Sequence, residues 1–409
     1  MEKRLYAWGS GGTGQLGLGT KDDHTLPQRW THSDQVVVEV ESVTSGGCHS
    51  AGISSDGRLF LWGSDDRGQL GRTALEPGRT FVDVPIQHVA CIPRNSVQKT
   101  KLVACGWWNT LAVISSNADD DDSQTDQVFS WGSNDHCQLG RKRNAGGCKA
   151  AQIRHLSLRL QVSSIACGWK HCLLATAEGD AFAWGSGRHG QLGLGTCTLV
   201  TDIPLRVDAL KSVSVSDVFC GWEHSVFRTS SGEVFTCGNN RHGQLGVCET
   251  LTSISSETPC EKQKHICGSP LRVLDPHNSV EGLRTIHVSC GWHFVMCLTE
   301  RGELLTWGKG SHGQLGLGRF ESASEPQVVV FPHTVRQIAC GSEHAMVVTE
   351  EGDLYTCGWG EHGNLGHGDR NNHATLKMVE FFQHTDQAVT RAVAGGAVSL
   401  AVTSAHKHK

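Results

Sequence analysis

Apolar and polar residues alternate in short segments along the whole chain. Leu173-Leu174-Ala175-Thr176 and Ala181-Phe182-Ala183-Trp184 flank the turn Glu178-Gly179, which is the pattern of a β-hairpin. The same glycine-centred turn recurs at Asp56-Gly57, Ser231-Gly232, Arg301-Gly302 and Glu351-Gly352. No apolar period of 3.6 residues runs for a useful length, so the pattern predicts an all-β protein.

Two motifs bracket these hairpins, and each occurs seven times. One is an aromatic or Cys followed by Gly, a glycine turn and Gly-Gln-Leu-Gly. It begins at Trp8, Trp62, Trp131, Trp184, Cys237, Trp307 and Cys357, with leucines at Leu16, Leu70, Leu139, Leu192, Leu245, Leu315 and Leu365. Cys137 replaces a glycine in the third copy, and Asn364 replaces the glutamine in the last. The other motif is Cys-Gly-x-x-His, present from Cys167 to His171, Cys220 to His224 and Cys340 to His344. Cys105 to Asn109 and Cys290 to Phe294 lack the histidine, and Ser45 to His49 and Ala394 to Val398 are the degenerate first and last copies.

Three strands per repeat follow: one ending at Cys-Gly, one after the His, and one ending at Trp-Gly. A fourth is expected in segments such as Pro204-Leu205-Arg206-Val207. Such units, roughly 50 residues apart, cannot bury their faces alone. Arranged radially they make a seven-bladed β-propeller. The chain opens with a third strand, Leu5 to Trp8, and closes with a first and second, Val389 to Val402. The N- and C-terminal strands should therefore close one blade. A single domain is expected over 1–409, with repeat strands over 5–402, a short tail at 403–409 and inserted loops at 117–127 and 247–268. The leucine of Gly-Gln-Leu-Gly is expected to plug the gap between blades, with the glutamine bonding backbone there.

Composition narrows the class. With 36 Lys+Arg against 41 Asp+Glu the net charge is -5, too acidic for a surface that coats nucleic acid. No apolar run of membrane-spanning length is present, and the first residues lack a signal-peptide core. Membrane insertion is not expected. Many of the 17 cysteines fall at one repeat position, as small buried residues do in a reducing compartment. A cytoplasmic protein, also nuclear, and monomeric, is the expectation.

The repeated Cys, Trp, His and Leu read as architecture. Zinc sites group ligands through close spacing, whereas these Cys and His residues are spread over separate repeats, so no metal is expected. No nucleophile elbow, P-loop, His-Glu-x-x-His or dinucleotide fingerprint occurs. Neither catalytic residues nor a cofactor is expected.

Trp-Gly followed by Gly-Gln-Leu-Gly, alternating with Cys/Ser-Gly-x-x-His, closely resembles the regulator of chromosome condensation repeat from Leu5 to about Val402. Cys340-Gly341-Ser342-Glu343-His344, Cys357-Gly358-Trp359-Gly360-Glu361-His362-Gly363 and Ser289-Cys290-Gly291-Trp292 are most similar to its secretion-regulating guanine nucleotide exchange factor branch. The resemblance implies a guanine-nucleotide releasing factor or regulator of a small GTPase in secretion or vesicle traffic, without covalent chemistry. The alternative is a protein-interaction scaffold without exchange activity.

In the founding member, one face grips the GTPase through an acidic residue just before a repeat histidine and through a β-wedge insertion. The matching positions here are Glu223 with His224 and Glu343 with His344, and Trp222 and Trp292 complete the expected partner-binding set. Glutamate stands where that member has aspartate, and its basic chromatin-binding tail has no counterpart. The plant ultraviolet-B photoreceptor, a cousin, has arginine in a slot that here holds Trp108, Lys170, Glu223 and His293, so a light-sensing reading lacks its salt-bridging arginines.

Departures from the repeat map to loops. From Cys105 to Trp131 the step is 26 residues, with the run Asp119-Asp120-Asp121-Asp122 in the excess, read as a solvated loop. From Cys237 to Cys290 it is 53, against 36 from Trp184 to Cys220. Strand order puts the Cys-Gly-x-x-His turns and the post-Trp-Gly loops on one face. The 247–268 insertion should share it, and the Asp-rich loop should lie on the other.

Overall fold

The alternation resolves into seven four-stranded antiparallel sheets arranged as the blades of a propeller. They are seen in a computed structural model that describes residues 3–30, 40–71, 81–83, 98–116, 125–143, 150–156, 160–195, 198–247 and 265–405. From the axis outward, blade 1 comprises Val40–Ser45, His49–Ser54, Leu59–Gly63 and Phe81–Asp83. Blade 2 comprises Gln98–Cys105, Asn109–Ser116, Thr125–Gly132 and Ala151–Gln152. Blade 3 is Val162–Cys167, His171–Thr176, Ala181–Ser186 and Val200–Arg206; blade 4 is Val215–Cys220, His224–Thr229, Val234–Asn239 and Ile266–Arg272. Blade 5 is Thr285–Cys290, Phe294–Thr299, Leu304–Gly308 and Ala323–Val328; blade 6 is Val335–Cys340, His344–Thr349, Leu354–Gly358 and His373–Met378.

Blade 7 is made from both ends of the chain. Gln387–Ala394 and Val398–Ala405 supply its inner strands, and Arg4–Gly9 and His24–Arg29 its outer ones. Arg4 pairs with Thr403 and Gly9 with Val398 in unbroken register. Backbone hydrogen bonds thus close the ring, as the offset of the repeats predicts.

The core lies in the seams between blades. Leu16 packs with Leu5, Ala7 and Leu400 of blade 7 and with Val43, Phe60 and Trp62 of blade 1. Leu70 does the same between blades 1 and 2, and Leu315 between blades 5 and 6. Each leucine is the expected plug, and burying it stabilises the seam by about 2 kcal/mol.

The glutamine does its bonding in two parts. Its side-chain Oε1 accepts within its own loop: Gln69 Oε1 accepts from Arg67 N at 2.8 Å and Gln191 Oε1 from His189 N at 2.9 Å. Its main-chain carbonyl spans the seam. Trp62 Nε1 donates to Gln15 O at 2.9 Å, Trp131 to Gln69 O at 2.8 Å, Trp184 to Gln138 O at 3.0 Å and Trp307 to Gln244 O at 3.1 Å. Trp8 closes the circle onto Asn364 O at 3.0 Å. Where Cys replaces Trp, the longer sulfur contact remains: Cys237 to Gln191 O at 3.7 Å and Cys357 to Gln314 O at 3.8 Å.

Three boundaries differ from the sequence expectation. Residues 125–127 belong to the strand Thr125–Gly132, not to the Asp-rich loop, because Ser116 still pairs with Thr125. Residues 266–268 likewise lie in the outer strand of blade 4, with Ile266 opposite Asn239 and Cys267 opposite Gly238. The rest of both insertions, 117–124 and 248–264, lies outside the described residues. Part of the excess after blade 4 is instead a small hairpin, Leu274–Asp275 with Asn278–Gly282. Asp275 is tied to Arg301 at 3.0 Å, and Val273 and Leu283 lie in the core. Among the described residues no helix is long and apolar enough to cross a membrane.

Candidate docking face and central channel

Each Cys-Gly-x-x-His turn ends an inner strand at the axis. Among the described residues, backbone hydrogen bonds join these turns from blade to blade everywhere except between blades 3 and 4. Gly47 N donates to Gly106 O at 3.2 Å, Trp107 N to Gly168 O at 3.3 Å, Trp222 N to Trp292 O at 2.9 Å and Gly396 N to Gly46 O at 2.8 Å. The residue after the first glycine points over the axis. In blades 2 to 5 it is Trp107, Trp169, Trp222 and Trp292, and elsewhere it is Gly47, Ser342 and Gly396. The small residues make room for the large ones: a Cβ on Gly47 would sit 2.2 Å from the Trp107 ring.

The four indoles converge. Trp222 lies 4.3 Å from Trp292, 4.5 Å from Trp169 and 5.0 Å from Trp107, and Trp107 lies 5.0 Å from Trp292. Mostly edge-to-face, they form a half-buried aromatic platform, a geometry worth about 1 kcal/mol per pair beyond area burial. Cations rest on its rim. Lys170 Nζ is 3.1 Å from the Trp169 ring centre, and the Arg67 guanidinium is 5.5 Å from that of Trp108.

Behind the platform the inner strands enclose a channel of about 770 Å³. Its wall carries the thiols Cys105, Cys167, Cys220, Cys290 and Cys340, and charged Glu41, Lys101 and Arg391 sit at its far end. Among the described residues no three His, Cys, Asp or Glu side chains converge to hold a metal ion.

The predicted site residues separate by depth. Trp222 and Trp292 are in the platform. Glu223 is half-buried at its rim, where Oε2 accepts from Asn239 Nδ2 at 2.9 Å and Oε1 faces His189 Nδ1 at 3.2 Å. His189 comes from the loop after Trp184-Gly185, and Asn239 ends the strand Val234–Asn239 just after Cys237-Gly238, so this end of the third strands shares the turn face. Glu343 is buried, bonded to Lys309 Nζ at 2.7 Å and to Gln314 Nε2. Its charge is spent within the face.

His224 and His344, expected at the partner contact, are 0 % exposed. A docked protein does not reach them, and their role is internal. His344 Nε2 meets Ser399 Oγ at 3.0 Å, as His171 meets Ser225 at 3.0 Å and His49 meets Thr110 at 2.8 Å. Each of those hydroxyls donates its only proton to a seam carbonyl: Ser399 to Asn364 O, Ser225 to Gln191 O and Thr110 to Gln69 O. The imidazole must therefore donate from Nε2, which fixes it as the neutral Nε2–H tautomer. Burial lowers His49, His171 and His224 to about 3 and His344 to about 4.

A second histidine set went unread in the sequence. His136, His189, His242, His312 and His362 each stand just before the glycine slot of Gly-Gln-Leu-Gly. The signal was available as a fifth recurring letter in the repeat. These residues ring the platform on the same loops. His362 bonds Asp23 at 2.8 Å across the blade 6–blade 7 seam, and the His242 ring lies 5.2 Å from that of His293. Burial first, then His242 and Lys309, lowers His293 to about 4.

An aromatic platform ringed by charged loops, on a propeller stitched through Trp-Gly and Gly-Gln-Leu-Gly, defines a regulator-of-chromosome-condensation-type propeller. The sequence matches the RCC1-like domain over residues 4–401, and the chain belongs to that family. It is 32% identical to the secretion-regulating guanine nucleotide exchange factor of Mus musculus, over 76% of this chain and 61% of that protein. It is 31% identical to the ultraviolet-B receptor UVR8 of Arabidopsis thaliana, over 80% of this chain and 65% of the receptor. The human E3 ubiquitin-protein ligase HERC2 is 30% identical over 80% of this chain, which spans 6% of the ligase. The chain thus covers less than two thirds of the length of these relatives. Among solved structures, Prp20p of Saccharomyces cerevisiae shares the fold with a TM-score of 0.80 at 21% identity, covering 100% of this chain and 93% of that one. Human WBSCR16 shares it with a TM-score of 0.79 at 20% identity, covering 99% and 100%.

Proposed function

We propose that this propeller regulates a small GTPase, as a guanine nucleotide exchange factor, by docking it on the tryptophan face. The observation that carries the reading is Glu223. It is a carboxylate held at the rim by His189 and Asn239, next to an aromatic platform that offers apolar contact area. Buried aromatic anchors with a positioned charge at their edge are what concentrate binding energy in protein interfaces. Two comparisons support it: the relationship to a secretion-regulating exchange factor, and the shared fold with Prp20p, whose structure was reported with its binding to Gsp1p and histones. Action in secretion or vesicle traffic, in the cytoplasm and nucleus, belongs to the same proposal.

Exchange needs no bond to be made or broken. The face has only to bind the nucleotide-free GTPase more tightly than the loaded form, and release then accelerates by linkage. The test is release of labelled GDP from a panel of small GTPases, with and without the protein. Acceleration of one member, reduced roughly tenfold in Glu223→Ala, as loss of an interfacial charge pair commonly does, supports exchange. No acceleration across the panel rejects it.

The second reading is a scaffold that binds without exchange. It is favoured by HERC2, where the matched region is 6% of a much longer protein, so a propeller of this kind serves there as one module among others. Affinity capture of a partner that leaves nucleotide release unchanged is its expected result.

A further inference from the structure

In every blade the inner and second strands place two residues directly opposite one another beside the axial turn. The pairs are Ser45 with Ser50, Cys105 with Thr110, Cys220 with Ser225, Cys290 with Val295, Cys340 with Ala345 and Ala394 with Ser399. In blade 3 alone both members are cysteine, Cys167 and Cys172. The slot brings its side chains into contact, since the hydroxyls of Ser45 and Ser50 are 2.9 Å apart. The two sulfurs are 3.6 Å apart, and both thiols are free.

The backbone suits a bridge. Gly168 N donates to His171 O at 2.9 Å, so 168 and 171 form a hydrogen-bonded pair. The next pair, 167 and 172, is then the non-hydrogen-bonded kind, in which opposed Cα atoms approach most closely, to about 4.5 Å. That lies within the span a disulfide accepts.

Access is one-sided. Cys167 lines the central channel, whereas Cys172 is fully buried behind it. We propose that Cys167 and Cys172 form a redox-modifiable pair that closes to a disulfide when a peroxide enters the channel. The Cys167 sulfur attacks one peroxide oxygen. The O–O bond breaks, and the products are a sulfenic acid and water. The Cys172 sulfur then displaces hydroxide from the Cys167 sulfur. The S–S bond forms, the S–O bond breaks, and the Cys172 proton leaves with the hydroxide as a second water. Two thiols are oxidised by two electrons, and one peroxide is reduced.

The bridge would reach beyond blade 3. Cys172 Sγ donates to Gln138 O at 3.3 Å and accepts from Asn109 Nδ2 at 3.3 Å, both in blade 2 or its loop. A disulfide sulfur has no proton to donate, so Gln138 O would keep only Trp184 Nε1. The seam between blades 2 and 3 loosens.

The experiment treats the reduced full chain with hydrogen peroxide, blocks remaining thiols with N-ethylmaleimide and digests with trypsin. Cleavage after Lys170 separates the two cysteines. The expected product is therefore the peptide 160–170 joined to the peptide 171–188, lighter than their sum by two hydrogens. Cys172→Ser should fold, since Ser225 and Ser399 fill the same slot with a hydroxyl, and should abolish the joined species. Recovery of both peptides as maleimide adducts would overturn the proposal. So would Cys167 joined to another cysteine such as Cys105, or Cys167 carried only to its sulfinic acid.

Discussion

Four imidazoles buried as neutral rings tie this fold to pH. His49, His171, His224 and His344 are held at about 3 to 4, against 6.5 when exposed. Below 6.5 the unfolded chain takes up protons that the folded chain refuses, so the unfolded state is favoured. Stability is therefore full above 6.5 and declines as pH falls towards 3, by up to about 1.4 kcal/mol per unit for each ring. Urea midpoints measured from pH 7 to pH 5 should fall. His49→Asn, which copies the Asn109 side chain from the same slot of blade 2, should flatten that slope. The seam bonds make a second prediction. Trp131→Phe keeps one aromatic ring but removes the Nε1 donor to Gln69 O and the rest of a fully buried indole, so the lost hydrogen bond and the cavity together should cost about 2–4 kcal/mol in urea unfolding. At this scale the sequence was half legible. The histidines were visible, but their partners stand one repeat later: Thr110 follows from His49, Ser225 from His171 and Ser399 from His344. Backbone carbonyls, the other half of each seam bond, have no letter. The burial of His224, His344 and Glu343 depends on neighbouring blades, so position within the motif alone does not show it.

Strands and turns were the most legible level, because hydrophobic alternation and glycine position are local. The burial of all seven leucines and the shared blade 7 follow from repeat spacing. What spacing missed was the hairpin Leu274–Asp275 with Asn278–Gly282, which looks like any irregular insertion. The one deviant turn supplies a prediction. Cys137 occupies the glycine slot at φ 62, a conformation that costs a residue with a side chain about 1–2 kcal/mol. Cys137→Gly should therefore stabilise the protein by about 1 kcal/mol, read as a higher urea midpoint. Closure supplies another. Removing residues 1–9 deletes the strand paired from Arg4–Thr403 to Gly9–Val398. Blade 7 would then expose an open edge, and the cooperative unfolding transition should be lost or shifted far downward by circular dichroism.

For the whole molecule, the ring arrangement creates what no single repeat contains. Four tryptophans from four blades meet only because their turns converge on the axis, and Glu223 gains its partners from two different blades. Repeat number, and the shared face of the Cys-Gly-x-x-His turns and the loops after Trp-Gly, were readable from the sequence. The platform was not, since convergence depends on ring closure. The proposed exchange activity requires that this face bind a GTPase better when its nucleotide is gone. The most direct measurement is the affinity of the full chain for a responsive small GTPase in nucleotide-free and GDP-loaded forms, with Trp222→Ala alongside and its fold checked by thermal melting. The nucleotide-free form is expected to bind more tightly, and Trp222→Ala to weaken it at least about thirtyfold, as for an aromatic hot spot. Equal affinity for both forms, or binding untouched by Trp222→Ala, would contradict the proposal.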